Sequence, residues 1–139
     1  MNEQQNTELI KAMYAAFARG NVAAILGALT EDVEWILEGP AIIPFSGSRR
    51  GRAEVAGFFE GLATTQVNQK LTIDTWVAQG EVVATMGRYA ATVKANGRSF
   101  DASIAHFFTF RGGKVSKFVD FGDTALMAET YAQASAAAR

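Results

Sequence analysis

Apolar residues in the first half of the chain recur every three to four positions, the spacing of one buried helix face. The first such stripe ends at Gly20, a common helix terminator, and Asn21 can cap a second, shorter helix. A third stripe predicts a helix over residues 52–64. The predicted buried positions of the three helices are Leu9, Ile10, Met13, Tyr14 and Phe17; Val22, Ile25, Leu26 and Leu29; and Val55, Phe58, Phe59 and Leu62.

A strand pattern interrupts these helices. Apolar and more polar residues alternate over residues 33–37, and Gly39-Pro40 closes the run. We interpret the polar stretch at 46–51 as a loop that leads into the third helix.

The second half of the chain has the pattern of a β-meander. Four runs rich in Val, Ile, Thr and aromatic residues follow from Leu71 onward, separated by turn signals at Gln79-Gly80, Asn96-Gly97 and Gly112-Gly113. The alanine-rich tail, residues 123–139, predicts a short helix that frays toward its end. Helices first and antiparallel strands afterwards indicate the α+β class, with helices covering one face of a bent sheet.

Size and charge narrow the functional classes. The chain has 139 residues, 49% of them hydrophobic, so we expect one domain over residues 1–139. The net charge is −1, and the basic residues are scattered apart from Arg49, Arg50 and Arg52. A nucleic-acid partner is therefore not expected.

Cysteine and histidine usage argues against a metal centre. The chain has no cysteine and one histidine, so we expect chemistry without a cofactor. Residues 1–8 lack the basic start and apolar stretch of a signal peptide, and no apolar run approaches the length of a membrane span. The sequence thus predicts a soluble, cytoplasmic protein without a membrane partner.

The single histidine, His106, lies in an apolar run at residues 102–110. An unpaired polar group away from water costs roughly 1–3 kcal/mol, so this side chain needs a partner or a function. Asp120, in the apolar run after the Gly112-Gly113 turn, is the candidate partner. Aspartates are rarely buried without one, which also makes Asp120 a candidate base.

Whether the two side chains meet depends on the turn, because a one-residue change of register reverses the faces of a strand. A two-residue loop pairs Arg111 with Lys114 and places Asp120 on the face opposite to His106. A three-residue loop with Gly113 as a bulge shifts the pairing by one residue and makes the two side chains diagonal neighbours. Both registers are possible, and we adopt the bulged one as the working hypothesis.

The preceding hairpin poses the same question for Arg88. A three-residue loop there pairs Lys94 with Arg98 and places Arg88 on the His106 face, whereas an Asn-Gly type I′ turn reverses it. Bulged turns in both hairpins gather three polar residues on one surface among apolar ones. These residues are Arg88, His106 and Asp120, surrounded by Met86, Ile104, Phe108 and Phe118.

Four segments of the chain match a known family pattern. They are YAAFARGN at 14–21, DVEW at 32–35, FSGSRRGR at 45–52, and GKV at 113–115 leading to Asp120. In them the chain resembles the SnoaL-like polyketide cyclase group of the nuclear transport factor 2-like superfamily. The resemblance implies a cone-shaped α+β domain, with a curved, mixed but mostly antiparallel sheet wrapped on three N-terminal helices. Members include cyclases, isomerases, hydrolases, dehydratases and proteins without known chemistry, so the resemblance leaves the activity open.

The resemblance also implies roles for particular residues. In SnoaL-like cyclases a histidine and an aspartate on the last two long strands are associated with proton transfer, which points to His106 and Asp120. The limonene epoxide hydrolase branch is similar over residues 103–123. Its Asp-Arg-Asp set corresponds to Asp120 and Arg88, but the third position is Ala90, which argues against standard epoxide hydrolysis.

Steroid isomerase chemistry fits less well. The base, the tyrosine donor and the second acid of that branch correspond to Leu37, Met13 and Ala105, so we exclude that activity. The same comparison implies an alternative in which Ala105, and not His106, faces the interior.

The leading hypothesis is a cofactor-independent enzyme that applies acid/base chemistry to a small, largely apolar oxygenated molecule, by cyclisation, isomerisation or epoxide opening. Asp120 is the predicted base, His106 its partner or proton shuttle, and Arg88 the group that stabilises negative charge. The predicted substrate-binding residues are Trp35, Tyr14, Met86, Phe108, Phe118 and Phe59.

The alternative hypothesis is a non-catalytic ligand-binding or dimerisation module of the same fold. A closed apolar cavity with Asp120 at its floor favours the enzyme, whereas Asp120 in solvent or in an interface ion pair favours the module. In both cases we expect a homodimer through the exposed sheet face, because antiparallel sheets often leave one face for a partner and the resembling family commonly dimerises there.

Overall fold

The computed structural model describes residues 2–137, which contain four helices. The helices are α1 (Glu3–Ala18), α2 (Val22–Gly27), α3 (Arg52–Thr65) and α4 (Thr124–Ala137). A capping box starts α1, because the Asn2 side chain accepts from the Gln5 N–H at 2.8 Å and the Gln5 side chain accepts from the Asn2 N–H at 3.0 Å. Asn21 caps α2, as predicted, by accepting from the Ala24 N–H.

Six strands form a single sheet in this part of the chain. They are β1 (Leu29–Leu37), β2 (Gly47–Arg50), β3 (Gln66–Gln79), β4 (Val82–Val93), β5 (Ser99–Arg111) and β6 (Lys114–Gly122). Their order across the sheet is β2-β1-β6-β5-β4-β3. β1 and β6 are parallel, and all other neighbours are antiparallel. The predicted α+β class with a mixed, mostly antiparallel sheet is confirmed.

The structure differs from the sequence-based boundaries at three places. Leu29 begins β1 instead of belonging to the second helix, and β3 begins at Gln66, earlier than the predicted Leu71. The segment interpreted as a loop contains β2, which pairs with the end of β1. This edge strand is polar and mostly exposed, so it lacks the apolar alternation by which strands are detected.

The helices and the inner face of the curved sheet enclose the core. The predicted buried stripes of α1 and α3 supply Ile10, Met13, Val55 and Phe58 to it. β3 and β4 approach each other closely at Gly87, where an added Cβ would lie 1.8 Å from the Thr72 carbonyl oxygen. The pairing of the two strands shifts register beside this point, as it does at a β-bulge.

Candidate functional site

The turn between β5 and β6 is tighter than predicted. Arg111 pairs with Lys114, and Gly112 and Gly113 have φ angles of 59° and 79°, which suits a two-residue hairpin turn. The predicted three-residue loop is therefore wrong. Taken alone, this turn would put the candidate histidine and aspartate on opposite faces.

A bulge farther along β6 brings the two residues together. The register shifts by one residue at Ser116, which is paired with no residue in the β5–β6 register. His106 consequently pairs directly with Asp120. The predicted shared face is present, but a bulge within the strand produces it and the pairing is closer than the diagonal one expected.

Arg88 and Met86 lie outside this site. The pairing of β4 with β5 differs by one residue from the prediction, so Arg88 lies opposite Ser103 on the outer face. There its guanidinium binds the Asp101 carboxylate, with 2.8 Å between Nε and Oδ1. Met86 is 56% exposed on the same face. The predicted placement of both residues in the site is wrong, because the loop joining the strands is longer than three residues.

The same register decides which residue of β5 faces inward. Ala105 pairs with Met86 on the outer face, whereas His106 pairs with Thr85 on the inner face. His106 and Thr85 are both buried. The alternative in which Ala105 faces the interior is therefore excluded.

His106 and Asp120 line a cavity between the helices and the sheet. Their side chains are 8% and 14% exposed, and His106 Nε2 lies 3.4 Å from Asp120 Oδ1. The empty space between the walls of the cavity, together with the open solvent at its mouth, amounts to about 660 Å³. Its aromatic lining consists of Tyr14, Phe17, Trp35, Phe45, Phe58, Phe59, Tyr89, Phe108 and Phe118.

Tyr14 connects α1 to the histidine. Its hydroxyl oxygen lies 2.7 Å from His106 Nδ1 and 2.7 Å from Thr85 Oγ1. Burial raises the pKa of Tyr14 well above its usual value, an effect that the Thr85 hydrogen bond opposes and the nearby Asp120 charge reinforces. The phenol therefore stays protonated and can donate to the imidazole. A chain of polar contacts thus runs from Thr85 through Tyr14 and His106 to Asp120.

One direction of donation is consistent with every contact of this chain. If Thr85 donates to Tyr14 and Tyr14 donates to His106 Nδ1, the imidazole proton resides on Nε2. Nε2 is the nitrogen that faces the Asp120 carboxylate. Tyr14 and Thr85 would thereby select the tautomer that directs its proton toward Asp120.

Five of the six predicted substrate-binding residues line the cavity: Trp35, Tyr14, Phe108, Phe118 and Phe59. Trp35 stacks on Phe118 with 4.0 Å between ring centroids, and Phe118 meets the His106 ring edge-on at 5.0 Å. No Lys or Arg occurs among the described residues that line the cavity. Its polarity therefore comes from the phenols, the indole, the imidazole and one carboxylate.

Thr85 and Tyr89 are not among the predicted site residues. The Tyr89 hydroxyl donates to Gln66 and accepts from Gln69, and burial raises the pKa of this phenol well above its usual value. Both residues occupy alternate inward positions of β4, so a correct register would have identified them. The longer loop between β4 and β5 concealed that register.

The architecture is that of a nuclear transport factor 2-like protein with a cavity inside its cone. The chain belongs to the family defined by the SnoaL-like domain, whose family model matches residues 10–118. The match includes His106 and ends just before Asp120. No curated protein matches the sequence significantly.

Solved structures support the same fold. An NTF2-like protein of unknown function from Burkholderia pseudomallei is 29% identical, with a TM-score of 0.86 over 94% of this chain and 98% of that one. An NTF2-like protein from Burkholderia xenovorans is 30% identical, with a TM-score of 0.81 and the same two coverages of 94% and 98%. TerC, co-crystallised with polyporic acid, is 26% identical, with a TM-score of 0.83 over 92% of this chain and 98% of that one. None of the helices in the described part of the chain has the length and apolarity that crossing a bilayer requires.

Proposed function

We propose that the chain is a cofactor-independent enzyme that binds a flat, largely apolar carbonyl compound and moves a proton within it. The observation that carries this proposal is the His106–Asp120 pair, which is nearly buried in the wall of an aromatic cavity. Carboxylates are rarely buried without a task or a firm partner, and the contact with His106 at 3.4 Å is longer than a good hydrogen bond. Asp120 therefore retains oxygen lone pairs that can accept a proton from a ligand.

In this mechanism Asp120 acts as the base. It takes a proton from the carbon next to the substrate carbonyl, the electron pair of the C–H bond moves into the enolate, and the proton then returns at another position. His106, with a proton on Nε2, stabilises the carboxylate and shares its proton. Isomerisation and ring closure of a polyketide-like molecule both begin with this step.

The composition of the cavity supports the substrate class. Without lysine or arginine in the described lining, the cavity offers no fixed cation for a phosphate or a carboxylate ligand. Its aromatic walls suit a flat ring system. TerC, which shares the fold, was co-crystallised with polyporic acid, which agrees with an organic ligand in a cavity of this fold.

Epoxide opening is not part of the proposal. The similarity to the limonene epoxide hydrolase branch places an arginine at Arg88, but this side chain lies on the outer face, bound to Asp101 and Ser103. The cavity therefore lacks the arginine of the Asp-Arg-Asp set.

Proton transfer can be tested without the natural substrate. The probe is 2-tetralone, a flat aryl ketone with acidic hydrogens next to its carbonyl, whose exchange for deuterium in D₂O is followed by NMR. We expect the protein to accelerate exchange and Asp120→Asn to remove that acceleration. Asp101→Asn, the same substitution on the outer face, should leave it unchanged. Binding without accelerated exchange would favour the non-catalytic module, and exchange that survives in Asp120→Asn would remove Asp120 from the mechanism.

We also propose a homodimer formed through the outer face of the sheet. Val77, Met86, Phe107 and Phe121 are 58%, 56%, 43% and 50% exposed, and Phe107 packs edge-on against Phe121 at 5.8 Å. A contiguous exposed apolar surface of this kind is typical of an interface. Sedimentation should show a dimer at micromolar concentration and a monomer for Phe107→Glu. A monomeric wild-type protein would contradict this proposal.

A further inference from the structure

The proposed reaction places negative charge on a substrate oxygen, and the side chain expected to stabilise it, Arg88, lies outside the cavity. Most polar groups of the cavity wall are already occupied. The Tyr14 hydroxyl contacts Thr85 and His106, and the Tyr89 hydroxyl donates to Gln66 and accepts from Gln69. Neither phenol has a free hydrogen for a ligand if these contacts persist.

Trp35 is the exception. It lines the cavity and is 3% exposed, yet its indole Nε1–H has no hydrogen-bond partner among the described residues. Buried N–H groups are nearly always paired, and leaving one unpaired costs free energy. Phe58 and Phe59 approach the indole at 5.7 and 5.6 Å between centroids, but a ring face is a weaker acceptor than an oxygen atom.

The position of Trp35 relates it to the candidate base. On the parallel pair of β1 and β6, Trp35 lies beside Phe118 and Leu37 lies beside Asp120. Trp35 is thus two residues from the partner of Asp120, and alternate residues of a strand share a face. The indole and the carboxylate line the same cavity from neighbouring strands.

We propose that the Trp35 indole N–H donates a hydrogen bond to the carbonyl oxygen of the ligand and thereby selects flat aryl ketones over hydrocarbons of the same shape. The N–H is shut off from solvent, so this donation requires the indole to turn until Nε1 faces the cavity that its ring lines. A donor in such a water-poor site favours an oxygen that gains negative charge. The inference rests on the proposed function for the carbonyl class of the ligand and does not depend on proton transfer by Asp120.

The test uses a rigid pair of probes, 9-fluorenone and fluorene, which differ by a carbonyl in place of a methylene group. Fluorenone has no hydrogen next to its carbonyl, so its binding is independent of proton transfer. We expect fluorenone to bind roughly 2- to 10-fold more tightly than fluorene, the range of one net hydrogen bond. In Trp35→Phe, which keeps an aromatic ring but loses the N–H, the ratio should fall to about one.

A second measurement does not depend on the folding of that variant. The chain has two tryptophans, so the nitrogen-15-labelled wild-type protein shows two indole N–H signals, which Trp76→Phe assigns. Fluorenone should move the Trp35 proton downfield, and fluorene should not. Equal affinities for the two probes, a preference that survives in Trp35→Phe, or an unmoved Trp35 signal at saturating fluorenone would each overturn the inference. Failure of both probes to bind would overturn the ligand class. Loss of deuterium exchange in Asp120→Asn together with any of these results would leave the proposed proton transfer standing.

Discussion

Replacing Tyr14 by phenylalanine removes one hydroxyl from the middle of the contact chain and leaves the ring in place. The hydroxyl oxygen lies 2.7 Å from Thr85 Oγ1 and 2.7 Å from His106 Nδ1, and both partner side chains are buried. In the variant, Thr85 Oγ1 and His106 Nδ1 lose their hydrogen bonds to the phenol, which destabilises the folded state. The folded state also no longer buries the Tyr14 hydroxyl, which offsets part of this loss. We therefore expect the free energy of unfolding to fall by about 1–3 kcal/mol.

Denaturant unfolding measures this loss, with Tyr89→Phe as the matched control. Tyr89→Phe removes a buried hydroxyl that contacts Gln66 and Gln69 and does not contact the histidine. Both variants should lose stability, with unchanged dependence on denaturant concentration.

The imidazole distinguishes a positioning role of Tyr14 from a merely structural one. Because the chain has one histidine, the nitrogen-15 signals of a single imidazole report its tautomer. Tyr14→Phe should increase the form protonated on Nδ1, and Tyr89→Phe should not. Unchanged imidazole signals in Tyr14→Phe, or an equal change in both variants, would refute the role assigned to Tyr14.

Three further predictions concern pH, strand packing and the outer face. The pKa values of Tyr14 and Tyr89 are raised above the ordinary value of about 10, so the stability they contribute is fully present below that pH and is lost as pH rises through the raised values. Phenolate absorbance should therefore show two tyrosines that ionise only when the protein unfolds. Ionisation of both tyrosines before unfolding would contradict this prediction. Gly87→Ala should destabilise the fold by about 3 kcal/mol or more in thermal unfolding, because the new Cβ would lie 1.8 Å from the Thr72 oxygen. The control Gly57→Ala, at an open position of α3, should be neutral or stabilising by about 0.5–1 kcal/mol. Arg88→Ala should leave deuterium exchange of 2-tetralone unchanged, because its guanidinium binds Asp101 on the outer face; a large loss of exchange would show that Arg88 acts in the site.

Periodicity and turn signals were sufficient to locate the first three helices and the meander, and alanine content located the helix of the tail. Periodicity could not locate β2, whose residues are polar and pair through the backbone at the sheet edge. It also placed Leu29 in the second helix, since an apolar residue at helical spacing fits the beginning of a strand equally well.

The candidate site was predicted only in part. His106 and Asp120 stand out because a polar residue in an apolar run needs a partner. Their pairing, however, depends on a bulge at Ser116, and nothing in the local sequence distinguishes this position from a regular strand residue. For Arg88, the loop after β4 shifts the strand pairing by one residue relative to the prediction. Because strand side chains alternate with a period of two, this shift places Arg88 on the opposite face. Register is thus set by turns and bulges whose energies differ little.

The most direct measurement is a double-mutant cycle on the exchange of 2-tetralone, with His106→Gln, Asp120→Asn and the combined variant. His106 Nε2 and Asp120 Oδ1 are 3.4 Å apart, and residues in contact that act as a unit give non-additive losses. We predict that Asp120→Asn lowers kcat/KM by roughly 10²-fold or more, that His106→Gln also lowers it, and that the combined variant is no worse than Asp120→Asn alone. Losses that multiply in the combined variant would show that the two residues act independently, and full activity of Asp120→Asn would contradict proton transfer by this pair.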